Sequence, residues 1–318
     1  MKRYVCHYTG VDTLFAILRN CKDQHSAGLK YRASSIYNMN DPTEMEAGHK
    51  IVKRYMTRYE IEQNVPNEYR LSVVYKDATK EEECKNSYIL KEEKEMQHLG
   101  LIPYVTCFSE KIDYLPMWSM YGKGGKGVCI VLDTEILIDN CIEGLCSDRI
   151  MCIEKVGYGN SINNTNLRDV FDFLYKCLYL RNYEMEVVNP PTIDEKMKEL
   201  ANLCSGIAPF IKYKDYSYER EVRLVLYQQS EKIKDFCKPA KCLADVKKTL
   251  AEYELYRKAP RPPYIEFTIP VEALKKIIVG PCSNDEVLIP RIRNKLDRCK
   301  ITISKKKVTK SRIPFRIK

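Results

Sequence analysis

Tyr218-Glu219-Arg220-Glu221-Val222-Arg223-Leu224-Val225-Leu226 is the stretch on which the reading of this chain turns. Its second half is apolar enough for a central strand. Alternate residues of a strand share a face. Glu219, Glu221 and Arg223 are therefore expected to project together, with Val222, Leu224 and Leu226 on the other side. Two carboxylates on one face raise each other's pKa, and an adjacent guanidinium lowers them again. Two further short segments end strand-like runs on polar side chains: Cys6-His7-Tyr8-Thr9 and Thr106-Cys107-Phe108-Ser109-Glu110. An unpartnered buried polar group costs about 1–3 kcal/mol. Three such strand ends are most simply explained if they meet in one cleft.

Working outward, Tyr4 to Tyr8, Leu29 to Ala33, Tyr104 to Phe108, Val128 to Leu132, Ile150 to Tyr158, Glu221 to Tyr227, Tyr264 to Ile269, Leu274 to Val279 and Ile301 to Ser304 read as strands. Helices are expected over Thr43 to Glu62, in the charged stretch 63–99, at Met117 to Tyr121, over Asn166 to Val187 and Ile193 to Ile211, and over Asp285 to Asp297. Asp41 and Pro42 suit the cap and first position of the helix that follows them. Residues 229–258 read as an exposed charged excursion. Strands and helices alternate without a strict βαβ rhythm. That favours an α+β protein with a central mixed or split sheet. One domain over 1–318 is expected, with helical insertions near 43–99 and 166–213 and a basic C-terminal segment at 300–318.

The 318 residues carry a net charge of +10, much of it in Lys305, Lys306, Lys307, Lys310, Arg312, Arg316 and Lys318. This run reads as a solvated basic tail, because it lacks the interleaved aromatics that stack bases. No apolar run approaches the roughly 20 residues of a membrane span, and no signal-peptide stretch is visible. A cytoplasmic protein without membrane contact is expected. The 14 cysteines include no CxxC pair. Cys6, Cys107 and Cys129 are expected to be reduced and buried. Cys141, Cys146 and Cys152 lack zinc-site spacing, and no metal is expected. Lys123-Gly124-Gly125-Lys126-Gly127 lacks phosphate-loop spacing and reads as a hairpin turn.

Each candidate residue has a plain alternative. The glutamate pair is either a structural ion-pair ladder or an acidic site facing a developing cation or a metal. His7, with Tyr8 and Thr9, offers a ring and two hydroxyls to a ligand. Ser109 has no nucleophile elbow around it, so a hydrolase triad is not indicated. Trp118, the only tryptophan, either packs in the core or stacks beside the cleft. Arg32 either reaches a phosphate or is a surface charge.

The ordered set His7-Tyr8-Thr9, Asn40-Asp41-Pro42-x-Glu44, Cys107-Phe108-Ser109, Met117-Trp118-x-x-Tyr121, Gly127-Val128, Tyr218-Glu219-x-Glu221-x-Arg223, Ile277-Ile278-Val279-Gly280-Pro281 and Ser311-Arg312-Ile313-Pro314-Phe315-Arg316 resembles a bacterial domain-of-unknown-function family, number twenty-nine seventy-one. The resemblance runs over nearly the whole chain. Tyr216 departs from it, standing where tryptophan is expected in many members.

A looser resemblance, in motif order only, is to the ADP-ribosyltransferase fold with its toxin and DNA-modifying branches. It implies NAD as substrate and an unknown macromolecular acceptor, nucleic acid or protein, in a phage-defence or toxin-like setting. By that resemblance His7, with Tyr8 and Thr9 in support, holds the nucleotide, and Ser109 orders the nicotinamide ribose. Glu221 stabilises the oxocarbenium, and Glu219 lies nearer the acceptor. Arg32 and Trp118 complete the implied cofactor-binding set. Two other readings use the same residues: a metal-dependent phosphodiesterase or nuclease built on Glu219, Glu221 and Asp41, and a non-catalytic nucleotide-binding module.

Overall fold

The computed structural model describes residues 1–19, 28–36, 39, 44–73, 103–145, 150–159, 162, 165–180, 190–227, 264–301 and 307–314. Strand β1 (Tyr4–Thr9) leads into α1 (Val11–Ile17), β2 (Gly28–Ser35) and α2 (Glu44–Glu62). Then come β3 (Pro103–Ser109), α3 (Leu115–Met120), β4 (Val128–Asp133), α4 (Thr134–Leu145), β5 (Ile150–Lys155) and β6 (Gly157–Tyr158). Helix α5 (Thr165–Asp172) runs on as a π-helical segment, Phe173–Tyr179, before α6 (Ile193–Ile207) and β7 (Ile211–Lys212). A 3₁₀ turn, Lys214–Glu219, leads into β8 (Glu221–Tyr227). The chain continues through β9 (Tyr264–Pro270), β10 (Leu274–Val279), α7 (Asp285–Arg298) and β11 (Val308–Lys310).

Nine strands form one sheet in the order β11-β10-β4-β1-β3-β2-β9, with β8 and β5 leaving the path at β3. The β10–β11 pair is parallel and the other pairs of this sheet are antiparallel. The protein is therefore α+β with a mixed central sheet, as the lack of βαβ rhythm implies. One face carries α1, α4 and α7, packed through Leu14, Leu137 and Ile292 onto Val5, Ile130 and Leu224. On the other face, α2, α5 and α6 cover Val105, Val225 and Tyr227. On that face Trp118 of α3 packs with Cys6, Tyr8, Cys129 and Val131.

Several boundaries depart from the sequence reading. Residues 122–127 form a turn between α3 and β4 rather than a hairpin between two strands. A Cβ on Gly127 would lie 2.2 Å from the Thr9 carbonyl oxygen, so the turn needs glycine there to lie against β1. The stretch Ile150 to Tyr158 breaks at Val156 into β5 and β6, and Ile211 leaves the helix for β7. The basic C-terminal segment is partly structural. Val308–Lys310 pairs with β10, Lys310 meets Asp285 at 2.7 Å, and Ser311 and Arg312 bind Asp113. Asn40, Asp41, Pro42, Cys146, the stretches 74–100 and 229–258, and the expected strand after Ile301 lie outside the described residues.

A buried carboxylate ties the α2 layer together. Glu60 has no solvent exposure and accepts hydrogen bonds from Leu71 N at 2.7 Å, Ser72 Oγ and the Tyr175 hydroxyl. His49, three turns earlier on α2, has no such partners. It is 2% exposed, and neither ring nitrogen has a hydrogen bond among the described residues. Burial, aided by Lys53, pulls its pKa down to about 4. The unfolded chain therefore binds a proton between pH 6.5 and 4 that the folded one refuses, and stability falls as pH drops through that window. The contribution is about 3 kcal/mol over the window. Urea denaturation midpoints measured from pH 6.5 to 4 should show it, and His49→Leu should flatten that part of the profile. An equal slope in the variant would mean that His49 already accepts its proton in the fold.

Candidate functional site

The site begins with a fork in the sheet. Strand β8 pairs with β3 along its whole length, from Pro103↔Tyr227 to Ser109↔Glu221, and so occupies one edge. The other edge is shared. β2 pairs there only at Tyr104 and Val105, and β1 only at Ser109. Between those contacts β1 and β2 part, and main-chain groups beside residues 106–108 lose their ladder partners. Such groups must be satisfied some other way. His7 Nδ1 lies 2.9 Å from Cys107 O, Thr106 Oγ1 donates to Arg32 O at 3.2 Å, and Cys6 Sγ lies 3.2 Å from Ser109 O.

A cavity of about 380 Å³ occupies the fork. His7, Phe108, Tyr121 just after α3, Lys212, Glu219 and Glu221 are among its lining residues. A carbonyl only accepts, so the contact to Cys107 O puts the imidazole proton on Nδ1 and leaves Nε2 as an acceptor. Burial lowers the His7 pKa, opposed by the bond to Cys107, and keeps the ring neutral at neutral pH.

The carboxylates meet through Lys212. Its Nζ lies 2.9 Å from Glu219 Oε2 and 3.3 Å from Glu221 Oε2, and 4.4 Å from the centroid of the Tyr216 ring. Arg223 donates from Nε to Glu221 Oε1 at 2.8 Å and from Nη2 to Oε2 at 3.1 Å. Its Nη1 donates to Pro209 O at 2.6 Å. Tyr121 donates to Glu219 Oε1 at 2.7 Å. Burial alone would raise the Glu221 pKa, but Arg223 and Lys212 outweigh it and hold the group at about 2, with a bond from the Cys107 side chain adding to the effect. The strand-face expectation changes accordingly. Glu219 is not on the strand but ends the 3₁₀ turn, and Arg220 between the two has a left-handed φ of 46°. That reversal turns both carboxylates toward one ammonium.

The sequence-derived candidates divide into two groups. His7, Tyr8, Arg32, Glu219 and Glu221 line the cavity. Arg32 stands at its rim, its side chain 61% exposed, over the Tyr264 ring and 3.0 Å from Glu266. Tyr8 contributes its ring only, because its hydroxyl donates to Lys111 O and accepts from Tyr114 N. Ser109, Thr9 and Trp118 are not among the lining residues. The Ser109 hydroxyl donates to Glu219 O and accepts from Lys111 N, so it clamps the backbone beneath the carboxylates. Thr9 ends β1 opposite Val128. Trp118 is fully buried, edge-on to Tyr8, with Nε1 bonded to Asp113 at 2.9 Å, which is its core-packing reading. Cys6 and Cys129 are buried as expected, whereas Cys107 is half-buried on the cavity wall, and none of the three is in a disulfide among the described residues.

Lys212 is the residue that sequence reading missed. It sits in a two-residue strand that the sequence presents as the end of a helix, and no motif marks it. Tyr121 was visible in the Met117-Trp118-x-x-Tyr121 spacing, although nothing local tied it to Glu219. Among the described residues no group of three or more His, Cys, Asp or Glu side chains is arranged to hold a metal ion.

A family model described as "Protein of unknown function (DUF2971)" matches residues 117–224. The resemblance read from the sequence therefore holds over that stretch, which runs from α3 into β8. It contains Tyr121, Lys212, Glu219, Glu221 and Arg223, the whole carboxylate cluster, but neither His7 nor Arg32. No curated protein and no solved structure matched the chain.

Glu221→Gln cannot leave folding untouched, because it removes the charge that faces a guanidinium with no solvent exposure. The folded pKa lies below the unfolded one, so the stabilisation is present above about pH 4.5 and is lost as pH falls toward 2. Removing one partner of a buried pair costs about 3–5 kcal/mol. Chemical denaturation should show a loss of that size for Glu221→Gln at pH 7, shrinking as pH falls from 4.5 to 2. A variant as stable as the wild type at pH 7 would refute the closed ion-pair network.

Proposed function

We propose that the fork binds the nicotinamide–ribose end of NAD and that the protein transfers ADP-ribose to a macromolecular acceptor. One observation carries the reading: a neutral imidazole acceptor on β1 and the carboxylates of Glu219 and Glu221, held by Lys212, line the same cavity. Cleavage breaks the bond between the ribose anomeric carbon and the nicotinamide nitrogen. The electron pair leaves with neutral nicotinamide, and positive charge develops on the sugar. A preorganised carboxylate stabilises that charge. The acceptor's nucleophile then bonds to the anomeric carbon and gives up a proton to a carboxylate.

In this reading the two glutamates take different roles. Both oxygens of Glu221 are held by Arg223, so its charge is largely compensated and its part is to anchor Lys212. Glu219 Oε1 is held by a neutral tyrosine hydroxyl, a weaker competitor, and is better placed to meet the ribose. His7 Nε2 can accept from a carboxamide N–H or a ribose hydroxyl. Arg32 at the rim suits the diphosphate. Lys212 and Arg223 already supply the positive charge beside these carboxylates, which gives less support to a divalent ion there.

Calorimetric titration with NAD and chromatographic measurement of nicotinamide release test the reading together. Wild type should bind NAD and release nicotinamide, with no loss on adding EDTA. Glu219→Gln should lower release about 100-fold or more, the scale of removing one electrostatic stabiliser. His7→Ala should weaken NAD binding. Binding without release would leave a nucleotide-binding module. No binding at millimolar NAD would overturn the reading.

A further inference from the structure

A second groove, of about 500 Å³, borders the small cluster of Cys6, Tyr8 and Trp118. It is lined by Lys2, Arg3, Tyr4, Lys111 and Tyr114, with Glu110 as its one acid among the described residues. That acid is already engaged, by Lys155 at 3.0 Å and by Lys2 N at 2.8 Å. Arg3 and Lys111 make no ion pair among the described residues. Each instead sits over a half-buried tyrosine ring: Arg3 is 5.3 Å from the Tyr4 centroid and Lys111 Nζ is 5.2 Å from the Tyr114 centroid.

Cations alternating with aromatic rings are what single-stranded nucleic acid needs. The cations track phosphates, and the rings stack bases without regard to sequence. The basic C-terminal run lacks those rings in sequence, whereas here the fold brings residues 2–4 and 111–114 together. The groove also adjoins the fork. Tyr8 and Cys6 line the cavity, and both make hydrogen bonds to Lys111 O.

We propose that this groove binds single-stranded nucleic acid and leads it to the fork as the acceptor. The acceptor role rests on the transfer reading given above, but the binding needs no NAD. An anionic lipid surface is less favoured, because Ile112 is the groove's one exposed aliphatic side chain. A rival basic groove lies between α1 and α7, where Arg291, Lys295 and Arg298 surround Phe15. It offers one ring rather than two, and its helices pack on the opposite face of the sheet from Cys6 and Tyr8.

The test is fluorescence anisotropy with a labelled single strand of about 20 nucleotides, longer than one such site. Wild type should bind. With three phosphates neutralised, the log–log salt slope should be about −2 between roughly 0.05 and 0.2 M salt. The double variant Arg3→Glu, Lys111→Glu should weaken binding about 10-fold or more, and Tyr114→Leu by a similar factor, while Tyr114→Phe binds like wild type. Nicotinamide release without oligonucleotide should be unchanged in the double variant. If the docking variants lose binding while wild type turns over no NAD, the groove stands and the transfer reading falls. The proposal is overturned if wild type does not bind the strand at low salt. It is equally overturned if Arg291→Glu with Lys295→Glu abolishes binding and the Arg3, Lys111 pair does not. Binding of phosphatidylserine vesicles in preference to the oligonucleotide would also overturn it.

Discussion

Arg223 sits at zero exposure in the central strand β8, and a buried guanidinium is tolerable only when each of its donors meets an acceptor. That requirement propagates. Glu221 must turn its carboxylate toward the guanidinium. Pro209 must present its carbonyl, which fixes the end of the helical layer above. Glu221 in turn holds Lys212, and Lys212 holds Glu219. The chain of charge pairs reaches the cavity wall with its geometry already determined, so the polar groups there are supported from below rather than by solvent.

The fork in the sheet is the second constraint, and it follows from β3 having only two edges. One edge belongs wholly to β8. The other is shared between β1 and β2, which cannot both follow it. The gap exposes main-chain carbonyls that polar side chains must satisfy. His7, Cys6 and Thr106 do so, and in doing so they define one wall of the cavity. The same polar residues that relieve the sheet's incomplete pairing therefore prepare a ligand-sized space. The contact to Cys107 O occupies only Nδ1 of His7, so its structural role leaves Nε2 as an acceptor.

The two basic grooves differ in how they arise. That between α1 and α7 follows from helical periodicity, since Arg291, Lys295 and Arg298 recur at one face of a helix. The one beside β1 comes from strand ends. Its cations are separated by more than a hundred residues in sequence and are brought together by the hydrogen bonds of Tyr8 and Cys6 to the stretch after β3. It shares those contacts with the fork, because Tyr8 and Cys6 also line the cavity.

Much of the architecture was legible in the chain. Apolar runs bounded by turn residues marked the strands, and Glu221 to Tyr227 agrees with the observed β8 residue for residue, because a strand buried on both faces shows in Leu224 to Tyr227 as a continuous apolar run. His7, Glu219 and Glu221 were visible as polar groups at strand ends. Ser109 and Trp118 were equally visible, but local sequence cannot say whether a hydroxyl or an indole points at a ligand or at the backbone. Only the tertiary structure decided that Ser109 clamps Glu219 and that Trp118 binds Asp113. Lys212 was invisible for the same reason. Its importance comes from lying between two carboxylates, a relation set by how β7 and the 3₁₀ turn fold back on β8. Periodicity encodes which face of an element is buried, whereas the partner of a charge depends on which element covers that face.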